Sequence, residues 1–440
     1  MFSLPVTATA PFCPSEVAGS IAVPTTDPLW KKIARFAGPG LLISVGYMDP
    51  GNWATAIQAG SVYGYKLLFV VVLSSMAAIV LQCLSMRLGI ASGRDLAVQC
   101  REHYSPAAGR IMWLLAEIAI IACDLAEVLG CALAFKLVLN VSLPVGVLLT
   151  AFDTLIVLGL KGKGFRQVEA IILALIITIA GCLFAELLLV KPDWPAVAWG
   201  LMPSVDALSN RDALYLAIGI LGATVMPHNL YLHSSIVQTR KIAKGERSMR
   251  QAINLARLDT IISLLLALLV NGAILVLAAA AFHATGNTAV QDIDQAYHLL
   301  DPIAGTAIAG ILFGVGLFAS GQSSTFTGTI AGQVIMEGFL NLKIPCWQRR
   351  VITRGLALIP ALIGVMVLGE HSVGKLLVMS QVVLSMQLPF VMYPLIRLTG
   401  RKDIMGIFVN SRITTLVAWG LFGLISVANI WLVLQVFGFN

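Results

Sequence analysis

Charge is scarce in this 440-residue chain. Lys, Arg, Asp and Glu make up 12% of it, against about 25% in soluble domains, while 58% is hydrophobic and the mean hydropathy is +0.88. That balance excludes an ordinary soluble enzyme or binding module and predicts a polytopic helical membrane protein. Paired cysteines are missing too. The seven cysteines (13, 83, 100, 123, 131, 182 and 346) show no repeated spacing, and most fall inside apolar stretches. They read as small apolar fillers, not as a disulfide framework or thiolate metal site. No HExxH, GxSxG or GxxxxGK[ST] element is present, so neither zinc-hydrolase, serine-hydrolase nor ATP-driven chemistry is expected. Any uphill work must draw on an ion gradient. The Pro-, Thr-, Ala- and Ser-rich start lacks the basic region and cleavage pattern of a signal peptide. Residues 1–35 are expected to be a disordered cytoplasmic tail, and residues 36–440 a single transmembrane domain.

What the chain has in abundance is long apolar runs. Eleven spans are predicted, at about 39–64, 67–89, 109–138, 143–161, 165–190, 211–239, 254–283, 302–338, 349–368, 373–396 and 413–436. Most exceed the roughly 20 residues that cross the hydrocarbon. The 29 Lys and Arg residues sort unevenly over the loops. With the N-terminus inside, all but Lys66, Lys136, Lys191, Arg211 and Lys375 fall on the cytoplasmic side. The bias predicts a cytoplasmic N-terminus and an external C-terminus; the expected location is the plasma (inner) membrane. It also accounts for the net charge of +7 with no need of a nucleic-acid partner.

Two apolar stretches are interrupted by proline: Asp49-Pro50-Gly51-Asn52 and Met226-Pro227-His228-Asn229. Proline removes a backbone donor and clashes with the preceding turn, and it pushes the residue before it out of the helical region. Inside a bilayer, opened backbone is tolerated only where it is buried in protein or lines a cavity. Both interruptions share the pattern x-P-x-N. The first lies in span one and the second in span six, so five spans separate the repeats and the second copy is inverted. Paired breaks in two inverted halves point to a transporter's central site. The expected architecture is all-α: two inverted five-helix repeats (about 39–190 and 211–396) and an eleventh helix (about 413–436), with helices one and six broken. By analogy this is the leucine-transporter type.

The breaks carry chemistry. An acid within a span is costly and marks a functional site. Asp49 and Asn52 lie three apart, so residual winding points both the same way; Ala223 and Met226 repeat that spacing. Asp49 offers an anionic oxygen, Asn52 an amide oxygen and Met226 a thioether, while opened backbone near Gly46 and Ala223 offers carbonyls. Hard oxygens with one soft sulfur suit Mn²⁺ or Fe²⁺ better than Mg²⁺ or Ca²⁺. A lone acid would equally suit a monovalent cation or a proton, and Met226 could be core filler. In span three, Glu117, Asp124 and Glu127 fall at i, i+7 and i+10, one face of a helix that cannot turn to lipid. Arg354 in span nine is the natural partner, with His228 near the second break. This set reads as a proton route or as a purely structural salt-bridge network. His233 and Arg240 could line the inner exit or satisfy helix ends. Gln381 could join the cation's shell or only bond between helices, and Asn271 is open in the same way.

Asp49-Pro50-Gly51-Asn52 together with Ala223 to His228 (A-T-V-M-P-H) resembles the two signature motifs of the natural resistance-associated macrophage protein family. The resemblance extends to Gln82, the Glu117/Asp124/Glu127 face, His233, Arg240, Asn271, the Thr353-Arg354 pair and Gln381. It implies proton-coupled divalent metal transport, with Mn²⁺ or Fe²⁺ as substrate and no cofactor. It implies a metal held by Asp49, Asn52, Met226 and the Ala223 carbonyl. The position of Gly46 is often Ala in the family, which leaves its share of the coordination open. It also implies proton transfer through Asp124, Glu127, His228 and Arg354. The expected partners are divalent ions, protons and lipid, with the chain working as a monomer. An amino-acid or other organic-solute transporter is the alternative on the same architecture. Its first break would be Gly-rich and free for a carboxylate, whereas here it carries an acid. An intramembrane enzyme or sensor has no supporting motif.

Overall fold

The computed structural model describes residues 17–23, 28–159, 165–204, 209–243, 245–288, 290, 292–304, 308–341, 346–369 and 373–436. Side chains at 152–159 and at several positions of 301–304 and 346–368, Thr353 and Arg354 among them, lie outside the described residues.

The chain is almost wholly helical. In order it forms α1 (Leu29–Phe36), α2 (Pro39–Gly46), α3 (Pro50–Tyr63), α4 (Leu68–Ser92), α5 (Leu96–His103), α6 (Pro106–Leu139), α7 (Leu143–Gly159), α8 (Phe165–Val190) and α9 (Trp194–Gly200). The second half holds α10 (Arg211–Thr224), α11 (Pro227–Ile236), α12 (Glu246–Ala278), α13 (Ile293–Ala304), α14 (Ile308–Leu340), α15 (Cys346–Leu368), α16 (Val373–Thr399), α17 (Lys402–Met405) and α18 (Arg412–Val436). Among the described residues, eight helical stretches are long and apolar enough to cross a membrane. One of them, Pro50–Ser92, runs through two expected spans. The expected spans at 143–161 and 349–368 fall on α7 and α15.

Two differences from the expected spans have physical reasons. The span expected from 302 begins at Ile308, because Ile293–Ala304, with Pro302 inside it, forms a separate short helix. That helix buries Ile293, Ala296 and Leu300 and makes an ion pair of 3.1 Å between Asp294 and Lys136 of α6. The stretch expected to be tail contains structure. Leu29–Phe36 is an amphipathic helix, and β1 (Ile21–Ala22) pairs in parallel with β2 (Arg240–Lys241), Ile21 opposite Arg240. A two-residue strand finds its backbone partners there because the chain after span six leaves the helix in extended conformation at Arg240.

Both breaks are built the same way. α2 stops at Gly46, three residues link it to α3, and Pro50 is the first residue of the new helix. α10 stops at Thr224, and Pro227 starts α11 after a two-residue link. Proline suits this position because the first helical N–H has no intrahelical partner in any case. Asp49 caps α3: its carboxylate accepts the Asn52 backbone N–H at 2.9 Å, the usual device for a helix start. The broken pairs sit in the middle of the packed bundle. α3 packs against α6, α10 and α16, and α10 against α16. Small residues permit the approach: a Cβ on Gly130 of α6 would collide with Pro50, and one on Gly222 with the Gln381 carbonyl. Trp53, one residue past Asn52, is buried edge-on against Phe313, with centroids 5.2 Å apart.

Candidate metal centre between the broken helices

Asp49, Asn52, Ala223 and Met226 meet at the two breaks, all of them buried. The Asn52 side-chain amide lies between the halves: its Nδ2 donates to Asp49 Oδ1 at 2.6 Å and to the Ala223 carbonyl at 2.9 Å. Two oxygens from different repeats thus converge on one point, each drawn there by a group with partial positive charge. Asn271 of α12 donates to the Tyr47 carbonyl at 2.7 Å and to Asn52 Oδ1 at 3.3 Å, holding both the link and the amide. Ser320 of α14 bonds the Met48 carbonyl. The unwound backbone is therefore satisfied by side chains of neighbouring helices, as burial demands.

Gln381 arrives from α16. Its amide lies against Gly51, where a Cβ would collide with Gln381 Nε2 and come within 3.0 Å of Asp49 Oδ2. Asp49 Oδ2, Gln381 Oε1, Asn271 Oδ1 and Asn229 Oδ1 are all buried without a hydrogen-bond partner among the described residues. An unsatisfied buried acceptor typically costs about 1–3 kcal/mol. Several grouped around the two breaks are what a passing cation would compensate. Among the described residues, no cluster of three or more His, Cys, Asp or Glu side chains could hold a metal ion. The donor set is one carboxylate, amides, carbonyls and a thioether. It offers less charge than a resident site and suits an ion that must leave again.

The acid stripe of α6 lies behind the second break. Asp124 and Glu127 are buried and Glu117 is half-buried. Cys123 joins them to the breaks: its Sγ is 3.5 Å from Glu127 Oε1 and 3.7 Å from His228 Nε2, and it packs with Ala119 against Met226 and Leu384. Glu117 Oε1 accepts the Trp113 indole N–H at 3.0 Å. The expected partnership with Arg354 falls on a side chain outside the described residues. Sequence reasoning took Cys123 as filler. Its one available signal is its position, immediately before Asp124 and four residues before Glu127 on the same helix.

His233 lies elsewhere. Its Nδ1 donates to Gln82 Oε1 at 2.9 Å, and Gln82 Nε2 donates to the Tyr47 hydroxyl at 2.7 Å, so the chain of bonds returns to the first break. Arg240 forms a separate buried cluster. It pairs with Glu169 of α8 at 2.8 Å and donates to the Phe36 and Ala37 carbonyls at 3.0 and 2.7 Å. Asp259 of α12 accepts the N–H groups of Gly38 and Gly40 at 3.3 and 2.7 Å. The entry to the first broken helix is thereby clasped by α8, α12 and the extended chain after α11. A separate apolar groove of about 770 Å³ lies between α4, α8, α9 and α12, lined by Leu68, Ile177, Phe184, Trp194 and Leu269. It has nothing to offer a cation.

Residues 40–435 match the model of the family described as natural resistance-associated macrophage protein-like. A divalent metal cation transporter, MntH, from Ralstonia nicotianae is 69% identical over 434 residues, covering 99% of this chain and 98% of that one. A crystal structure of a point mutant of the Eremococcus coleocola manganese transporter superposes with a TM-score of 0.90 at 36% identity, covering 98% of this chain and 93% of that one. The nucleobase-cation-symport-1 family transporter Mhp1 superposes at 0.63 with 13% identity, over 99% of this chain and 94% of that one, a likeness of fold alone.

Proposed function

Since the chain belongs to the natural resistance-associated macrophage protein family and is a multi-pass divalent metal cation transporter, we propose that it imports Mn²⁺ and Fe²⁺, and Cd²⁺-like ions, coupled to protons, by alternating access. The convergence of Asp49 Oδ1 and the Ala223 carbonyl on one point between two broken helices carries this reading. The cation is held by Asp49, Asn52, Met226 and the Ala223 carbonyl, with Gly46 and Gln381 as further donors. Turning the Asn52 amide replaces its N–H donors by an oxygen facing the ion. The chain works as a monomer in the inner membrane, with its N-terminus cytoplasmic and C-terminus outside. It performs no enzymatic step and uses no ATP. Uptake into proteoliposomes tests the reading: Mn²⁺ enters and labelled amino acids do not. Amino-acid uptake without Mn²⁺ uptake would overturn it.

Sulfur ligation has its own signature. A thioether contributes little to a hard cation and more to a soft one. In Met226→Ala, water or another oxygen takes the sulfur's place. Cd²⁺ and Mn²⁺ uptake weaken while Ca²⁺ improves relative to both. A competition series on wild type and variant reads this, and an unchanged Cd²⁺ to Ca²⁺ ratio counts against the sulfur.

Proton transfer runs along α6, from His228 past Cys123 to Glu127 and Asp124, with Glu117, Arg354 and His233 in supporting places. The cation's charge at Asp49 favours departure of a proton toward this stripe. Asp124→Asn is expected to leave metal binding intact and to abolish metal-stimulated acidification of the vesicle lumen. A structural salt bridge predicts the opposite pattern, a lowered melting temperature with normal acidification per folded molecule.

A further inference from the structure

The two breaks share more than their prolines. Asn52 stands two residues after Pro50, and Asn229 two residues after Pro227. In an inverted repeat these are counterpart positions, one on the first turn of α3 and one on the first turn of α11. The first is fully engaged: its amide bridges Asp49 and Ala223 and accepts from Asn271. The second is buried to 0% exposure, yet neither its Oδ1 nor its Nδ2 has a hydrogen-bond partner among the described residues.

Its surroundings give that amide a direction. Asn229 follows Met226, the extended cap residue of α11, by three residues, the two positions that meet across a helix start. It lies against Gly46, which precedes Asp49 by the same spacing: a Cβ there would collide with Asn229 Nδ2 and reach Oδ1 at 3.2 Å. Gly46 thus makes room for the amide beside the opened end of α2. An amide costs free energy when buried without partners, and no described residue offers either atom a hydrogen bond.

We propose that Asn229 is the second repeat's counterpart of Asn52: a further oxygen donor for the divalent cation, reached from the α11 side, that favours hard ions over soft ones. The inference rests on the metal site proposed between the breaks. Gly46 is the permissive residue, since any side chain at that position displaces the amide.

Three variants test it: Asn229→Leu, which keeps volume without polar atoms; Asn229→Asp, which keeps an oxygen; and Gly46→Ala. Each is measured in detergent for Mn²⁺ and Cd²⁺ affinity by calorimetry, with a melting curve and Asp49→Asn in parallel. Losing one oxygen donor to a charge is expected to weaken Mn²⁺ binding by about tenfold. Cd²⁺ binding should change much less, so the Mn²⁺ to Cd²⁺ affinity ratio falls in Asn229→Leu and, less steeply, in Gly46→Ala. Asn229→Asp restores it. If Asp49→Asn abolishes binding while folded Asn229→Leu keeps the wild-type ratio, Asn229 is no ligand and the site stands without it. If Asp49→Asn binds Mn²⁺ as wild type does, the site itself is misplaced and the assignment falls with it. A role confined to packing lowers the melting temperature of both Asn229 variants and leaves the ratio unmoved, which also overturns the proposal.

Discussion

Asp49→Asn is expected to reduce Mn²⁺ uptake by up to about a hundredfold, because a charge-assisted contact in a buried site is lost and the proposed ligand set has no second anion. The fold survives the change. Asp49 caps α3 by accepting the Asn52 N–H, and asparagine is as good a cap as aspartate. The substitution therefore separates charge from architecture more cleanly than alanine, which would remove the cap as well. Uptake into proteoliposomes, normalised to protein of unchanged melting temperature, reads the effect. Wild-type uptake by a well-folded Asp49→Asn protein would falsify the assignment of Asp49 to the cation.

Arg240→Ala is expected to have the largest effect on stability. The guanidinium is buried and meets Glu169, the Phe36 and Ala37 carbonyls and Thr239 at 2.7–3.0 Å. Glu169 keeps one further cation, Arg166, at 3.0 Å, but that side chain is 40% exposed. Breaking a buried pair by removing one partner typically costs about 3–5 kcal/mol, because the other charge is left behind. Replacing both with well-packed apolar groups is often close to neutral. The melting temperature should thus fall sharply in Arg240→Ala and recover in large part in Arg240→Met/Glu169→Met. If the single variant melts with wild type, the cluster is not holding the entry to the first broken helix.

The breaks were legible in the sequence because proline acts through its own covalent structure, so Pro50 and Pro227 start helices where local reasoning puts them. The acid face of α6 was legible for a similar reason: helical spacing and the cost of an acid in lipid are both local facts. Lateral contacts were not. That Cys123 touches His228 depends on how α6 meets α11, and that Gly46 receives Asn229 depends on how the repeats interlock. Neither follows from spacing along one helix. The boundary at Ile308 was missed because a short amphipathic helix with Pro302 near its end looks like the start of the span that follows it. Pairing at Ile21 was invisible for a different reason. A two-residue strand has no periodicity to detect, and its partner is more than two hundred residues away.

The four helix ends at the breaks set an electrical balance. Two carbonyl ends, of α2 and α10, and two N–H ends, of α3 and α11, face one another, so their partial charges of opposite sign largely cancel. If the cation sits where we propose, Asp49 decides the net charge of the centre: −1 without cargo and +1 with a divalent ion, before any proton is counted. Moving one elementary charge through 100 mV is worth about 2.3 kcal/mol. With a negative interior, the voltage draws the loaded centre inward and the unloaded centre outward. On the proposed site, one carboxylate between balanced dipoles would let the membrane potential drive both halves of the cycle, whereas two carboxylates would leave the loaded centre neutral and the voltage without a grip on the inward step.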